Sequence, residues 1–130
     1  GRASAMSGVL TILGIGIMGA LGAAARYLTV EWMARWWLKP FPLAIFFINI
    51  VGSFLLGFLT TAFAAPAQLD MRLLLGTGFL GGYTTFSTLS FETFTLARRG
   101  DNLFAWVNVG GSLLAGVIAA FLGLALGLLV

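Results

Sequence analysis

The chain has 130 residues, 60% of them hydrophobic and 8% charged, with a mean hydropathy of +1.05, a balance found in integral membrane proteins and not in water-soluble domains. Seven basic and four acidic residues, a net charge of +3, are too few for a nucleic-acid footprint. The absence of cysteine excludes disulfides and thiolate metal sites, and the absence of histidine removes the usual proton shuttle near neutral pH, so most enzyme chemistry is disfavoured.

The opening GRASAM reads either as a cloning remnant over residues 1–5 ahead of a native start at Met6 or as an ordinary N-terminal tail. The apolar run behind it is too long for a cleaved signal peptide. Charge-free stretches cover 3–25, 41–69, 73–91 and 102–130, each long enough for the roughly 20 residues a spanning helix needs. They predict an all-α membrane protein with one four-helix transmembrane domain over 1–130 and helices at 8–28, 41–64, 72–97 and 103–129.

In the first helix Gly16, Ala20 and Ala24 fall four apart and make a smooth stripe. Arg26, one turn past Gly22, is either a snorkelling residue or an electropositive entrance. The segment EWMARWWLKP (31–40) mixes Trp32, Trp36 and Trp37 with Arg35 and Lys39, a composition that anchors at the headgroup boundary. On the second helix Asn49 and Ser53 share a face. Such polar residues in hydrocarbon either make an interhelical hydrogen bond or line a path.

The third helix carries GFLGGYTTFSTLSFE (78–92). Gly81 and Gly82 followed by Thr84 and Thr85 join weak helix formers to β-branched residues, which predicts a break near mid-span. Two readings stand. Interrupted backbone at membrane depth must find protein, water or an ion, so freed carbonyls could hold a hard cation, and two copies about a two-fold axis could complete the shell. The other reading is a packing kink with threonines back-bonded to the preceding turn. Beyond it Phe86, Ser87, Thr88, Ser90 and Phe91 interleave rings, whose edges are partly positive, with hydroxyl donors. The short connections AAPAQLDMR and ARRGDN predict that successive helices are antiparallel neighbours.

The fourth helix places Gly111, Ala115, Ala119, Gly123 and Gly127 on a second stripe, with Asn108 and Ser112 four apart beside it. Either stripe alone suits packing within one subunit, but two on so small a chain predict self-association. Arg35, Lys39, Arg98 and Arg99 lie on one side against Arg72 and Arg2 on the other, a small positive-inside bias.

The motifs GALGAAARYL (19–28), NIVGSFLLG (49–57), GFLGGYTTFSTLSFET (78–93) and NVGGSLLAG (108–116) together resemble the Fluc family of small bacterial fluoride channels, with likeness in all four helices. The resemblance implies an antiparallel, dual-topology homodimer in the bacterial inner membrane, with two pores that export fluoride passively. It also implies a central structural sodium ion held by backbone carbonyls of the third-helix break, which map to Gly81 and Thr84. The implied pathway residues are Asn49, Phe86, Thr88, Asn108 and Ser112, with Arg26 at the vestibule. The family's second pore phenylalanine maps to Leu89, a departure that removes one ring edge, and Glu92 also matches a family position. A small multidrug-resistance-type proton-coupled exporter is the rival from another class, but it needs a titrating carboxylate within its first helix, and the predicted first span has none. A non-transporting anchoring module would leave the polar break without a purpose.

Overall fold

A computed structural model describes residues 2–39 and 41–130, with the side chains of residues 2–6 and Ser87 outside the description. The remnant reading of 1–5 and the Arg2 charge therefore fall largely outside the described residues. Among those described, the chain is helical with no strand. Helix α1 runs Arg2–Ala34 and α2 Leu43–Ala62. After a 3₁₀ turn at Pro66–Gln68 comes a composite run of α3 (Leu69–Arg72), a π-helix (Leu73–Leu80) and α4 (Gly81–Tyr83); α5 (Phe86–Arg98) and α6 (Asn102–Leu128) follow.

Three helices, over Ser7–Ala34, Leu43–Ala62 and Asn102–Leu128, are long and apolar enough to cross a membrane. A 20-residue helix is about 30 Å long, the thickness of the hydrocarbon core. The predicted third span is interrupted between Tyr83 and Phe86. Helix α1 extends six residues past each end of its predicted range, because a charge ends hydrocarbon and not a helix: Arg26 and Glu31 are good helix formers. Its last turn carries Trp32, edge to face with Trp36 just beyond the helix, with centroids 5.6 Å apart and both exposed. The Trp37 indole donates to the Phe41 carbonyl at 2.7 Å and so closes the turn into α2.

The most extensive packing joins alternate helices, not successive ones. Helix α2 lies along α6 with Phe46 facing Gly111, Ser53 facing Gly116 and Phe54 facing Gly123. The numbers rise together, so the two helices are parallel. Helix α1 packs in the same sense on the composite run, Gly14 facing Leu74 and Gly19 facing Gly82. Alternate helices of an up-and-down chain point the same way, and small residues decide which pairs come closest. A Cβ on Gly82 would collide with the Gly19 carbonyl, and one on Gly123 with the Phe54 carbonyl. The expectation of antiparallel neighbours thus holds for direction but not for the main contacts.

This packing corrects the argument from stripes. The α6 stripe is used inside the chain: Gly111 meets the Phe46 ring, Ala119 is buried, and Gly123 and Gly127 meet the backbone of α2. It carries no evidence for a second copy. On α1, Gly16 has nothing within 4 Å of a modest side chain, and Ala20 and Ala24 are exposed.

Candidate functional site at the helix break

The break is made by two threonines. Thr84 (φ −83°, ψ 158°) and Thr85 (φ −154°, ψ 118°) are extended, as β-branched residues favour. The helix ahead of them closes on one carbonyl, since both the Thr84 amide (2.9 Å) and the Thr84 hydroxyl (2.8 Å) donate to Leu80. Helix α5 then starts on a side-chain cap: the Thr85 hydroxyl accepts from the Thr88 amide at 3.2 Å and donates to Thr88 Oγ1 at 3.1 Å. Gly81 and Gly82, by contrast, remain helical, and Gly82 serves close approach to α1. The back-bonding of the kink reading is present at Thr84, and the backbone is opened at Thr85.

The exposed peptide groups of the break are caught by α2. Thr85 N–H donates to Asn49 Oδ1 at 3.0 Å, and Asn49 Nδ2 donates to the Thr85 carbonyl at 3.2 Å. The carboxamide thus acts as a surrogate peptide, which matters because an unpaired buried amide costs about 1–3 kcal/mol. Among the carbonyls that lose their helical donors in the exchange are those of Gly81 and Thr84. In an unbroken helix Gly81 would receive Thr85 N–H and Thr84 would receive Thr88 N–H. Here the first donor goes to Asn49 and the second to the Thr85 hydroxyl.

An open-sided groove of about 500 Å³ runs along this surface, lined by Asn49, Ser53, Thr77, Gly81, Thr84, Phe86 and Leu89 among others. It brings together five of the residues singled out from the sequence: Asn49, Gly81, Thr84, Phe86 and Leu89. The Phe86 ring is 79% exposed, whereas Leu89 is half-buried. Thr88 stands beside the groove as the partner of the Thr85 cap. Ser53 lines the groove but donates to the Asn49 carbonyl at 2.8 Å, so its proton stays on its own helix.

A second polar cluster lies between α5 and α6. Asn108 is wholly buried and donates through Nδ2 to Thr93 Oγ1 at 2.9 Å. Its Oδ1 and the Ser112 hydroxyl, one turn along the same face, are buried without a partner among the described residues. Arg26 joins neither cluster: it is half-buried on α1, and no hydrogen bond or ion pair involves it among the described residues. Glu92, on α5, also has a buried, unpartnered oxygen.

Thr85 is placed at the break by the sequence, but its role as helix cap is not; Thr93 and the π-helix escaped the sequence reading. Thr93 becomes visible only when α6 is laid against α5, and nothing in LLLGTGFL separates a π-helix from an α-helix.

Comparison with known proteins follows this geometry. The family model described as "CrcB-like protein, Camphor Resistance (CrcB)" matches residues 13–124, a span that holds both polar clusters. The chain is 44% identical over 119 residues to a "Fluoride-specific ion channel FluC 1" of Listeria innocua serovar 6a, covering 92% of this chain and 98% of the relative. It is 38% identical over 118 residues to a "Fluoride-specific ion channel FluC" of Hydrogenovibrio crunogenus, covering 89% of each. A "Fluoride-specific ion channel FluC" of Geobacter metallireducens is 42% identical over 119 residues, covering 89% of this chain and 95% of the relative.

Proposed function

Because this chain belongs to the CrcB family, whose matched members are named fluoride-specific ion channels, we propose that it conducts fluoride passively across the bacterial inner membrane, as a dual-topology homodimer with two pores. The family is one of channels, and the protein is not an enzyme. Three apolar helices and the interrupted run together make four passes, so every subunit carries one break at membrane depth.

The carrying observation is the convergence of Asn49, Gly81, Thr84, Phe86 and Leu89 on one open-sided groove at that break. Backbone that leaves its helix inside a membrane is tolerated where protein or a polar cavity covers it. Within the subunit Asn49 covers one peptide; a second, antiparallel copy seated against the groove is the natural cover for the rest and for the exposed Phe86 ring.

Fluoride is small and strongly hydrated. A path for it must offer several donors, each weak enough to release the ion. Thr88 and Ser112 offer hydroxyl groups and Asn108 the second hydrogen of its Nδ2, all without fixed charge, Phe86 offers a ring edge, and Arg26 gives a positive approach from α1. Asn49 holds the break in shape. Its Oδ1 and one Nδ2 hydrogen are engaged with Thr85, which leaves the second Nδ2 hydrogen as a donor for the ion.

The Gly81 and Thr84 carbonyls fit a hard cation, since both have lost their helical donors and oxygen is the ligand sodium prefers. A sodium ion held between the breaks of two copies would supply fixed positive charge at the subunit junction. The protein's own part is to keep the helical donors away from those oxygens, through the Asn49 clasp and the Thr85 cap.

The test is release of fluoride from loaded liposomes, followed with an ion-selective electrode beside a chloride-loaded control. Rapid fluoride release with retained chloride supports the reading. Retention of both, or release of both, overturns it.

A further inference from the structure

Asn108 is the fully buried polar side chain of α6, and its amide has a definite sense. Its Nδ2 donates to Thr93 Oγ1 at 2.9 Å. The Thr93 hydroxyl itself donates to the Leu89 carbonyl one turn back, at 2.8 Å. A hydroxyl has a single proton. With that proton committed to the α5 backbone, Thr93 can meet Asn108 only with lone pairs, so the carboxamide must turn its nitrogen, and not its oxygen, toward α5. Flipping it would set Oδ1 against a hydroxyl oxygen with no hydrogen between them.

The consequences reach both polar clusters. Asn108 Oδ1 is left facing away from Thr93, buried and unpartnered, with the unpartnered Ser112 hydroxyl one turn further along α6. At the other end, the bonded series from Asn108 through Thr93 stops on the carbonyl of Leu89, a groove-lining residue. We propose that Thr93 is a positioning residue for fluoride passage: its back-bonded hydroxyl sets the direction of the Asn108 amide, and so decides which atoms α6 presents beside Ser112. Thr93 does not itself meet the ion. The inference rests on the fluoride reading above. It explains a threonine at this place, where valine would fill the same shape without an acceptor.

The experiment compares fluoride efflux from liposomes holding equal amounts of wild type, Thr93→Val, Thr93→Ser, Asn108→Ala and the Thr93→Val/Asn108→Ala double variant. Gel filtration and thermal melting in detergent establish that each is folded. Loss of the acceptor in Thr93→Val lowers flux by about tenfold, on the scale of one buried hydrogen bond. Thr93→Ser, which keeps the hydroxyl, stays near wild type. In the Asn108→Ala background the same Thr93→Val change has no further effect, because the residue it acts through is gone. Equal losses from Thr93→Val in both backgrounds overturn the assignment, as does full flux from folded Thr93→Val or a Thr93→Ser as poor as Thr93→Val. Should Asn108→Ala abolish flux, the valine and serine variants decide alone. A wild type that releases no fluoride overturns the functional reading instead, and is told apart from a failure at Thr93 by that control.

Discussion

The α2–α6 contact and the third helical run solve opposite problems with similar residues. Along α2 and α6, glycines let two regular helices touch backbone to backbone, as where Gly123 meets Phe54, and each helix closes its own hydrogen bonds. In the third run Gly82 makes the same kind of contact with Gly19 on α1, but two residues later the helix stops and its peptide groups are handed to side chains. Close approach therefore needs only small residues, whereas an opened backbone needs partners for the groups it frees. Asn49 takes the Thr85 peptide and the Thr85 hydroxyl takes the Thr88 amide.

Substitutions can break either half of this comparison. The largest effect is expected from Gly82→Val, which drives side-chain atoms into the Gly19 carbonyl, backbone against backbone where nothing can give. Overpacking of that kind costs about 3 kcal/mol or more, and the expected result is loss of monodisperse protein on gel filtration. A well-behaved Gly82→Val with an unchanged melting temperature would mean the α1 contact is looser than described.

Asn49→Leu comes next. It keeps the bulk but strands both the N–H and the carbonyl of Thr85, at about 1–3 kcal/mol for each unsatisfied group. The expected outcome is a lower melting temperature together with loss of fluoride flux, since the freed carbonyls lose their setting. Loss of stability with flux per folded protein intact would separate the clasp from conduction.

Phe86→Ile should leave stability unchanged, because the ring is 79% exposed in the subunit and outside its core. Fluoride flux should nevertheless fall, as the aliphatic chain offers no positive ring edge; normal flux in liposomes would remove Phe86 from the path. The smallest change is expected from Leu89→Phe. It adds a second ring on the groove one turn from Phe86 and should raise flux with little effect on folding, and an unaltered rate would mean one ring suffices here.

Much of this architecture can be read from side-chain type alone. Charges at Arg26, Asp70, Arg72, Arg98 and Asp101 mark out the apolar stretches, and the Gly-Gly-x-Thr-Thr sequence locates the interruption to within a few residues. The four residues Gly81, Gly82, Thr84 and Thr85 were expected to break the helix together; the glycines stay helical and the β-branched pair does the opening. Either small-residue stripe alone suited packing within the chain and the two together suggested a partner; α2 uses the α6 stripe, because a row of small residues does not reveal which helix will lie on it. Asn49 was recognisable as a costly polar residue, but its clasp on Thr85 joins positions 36 apart in the chain, a pairing that no local pattern encodes. Thr93 was hidden for the same reason, since a threonine in a helix interior ordinarily bonds only to its own preceding turn.

The central claim is that the third run is opened at Thr84 and Thr85, which takes the helical donors from the Gly81 and Thr84 oxygens. It is tested most directly by a high-resolution map of the reconstituted protein with thallium in place of sodium. The account predicts extended backbone at both threonines, the Asn49 amide on the Thr85 peptide, and an anomalous peak beside the two carbonyls. A helix continuing unbroken through Thr85, with its N–H returned to Gly81 and no peak nearby, would contradict it.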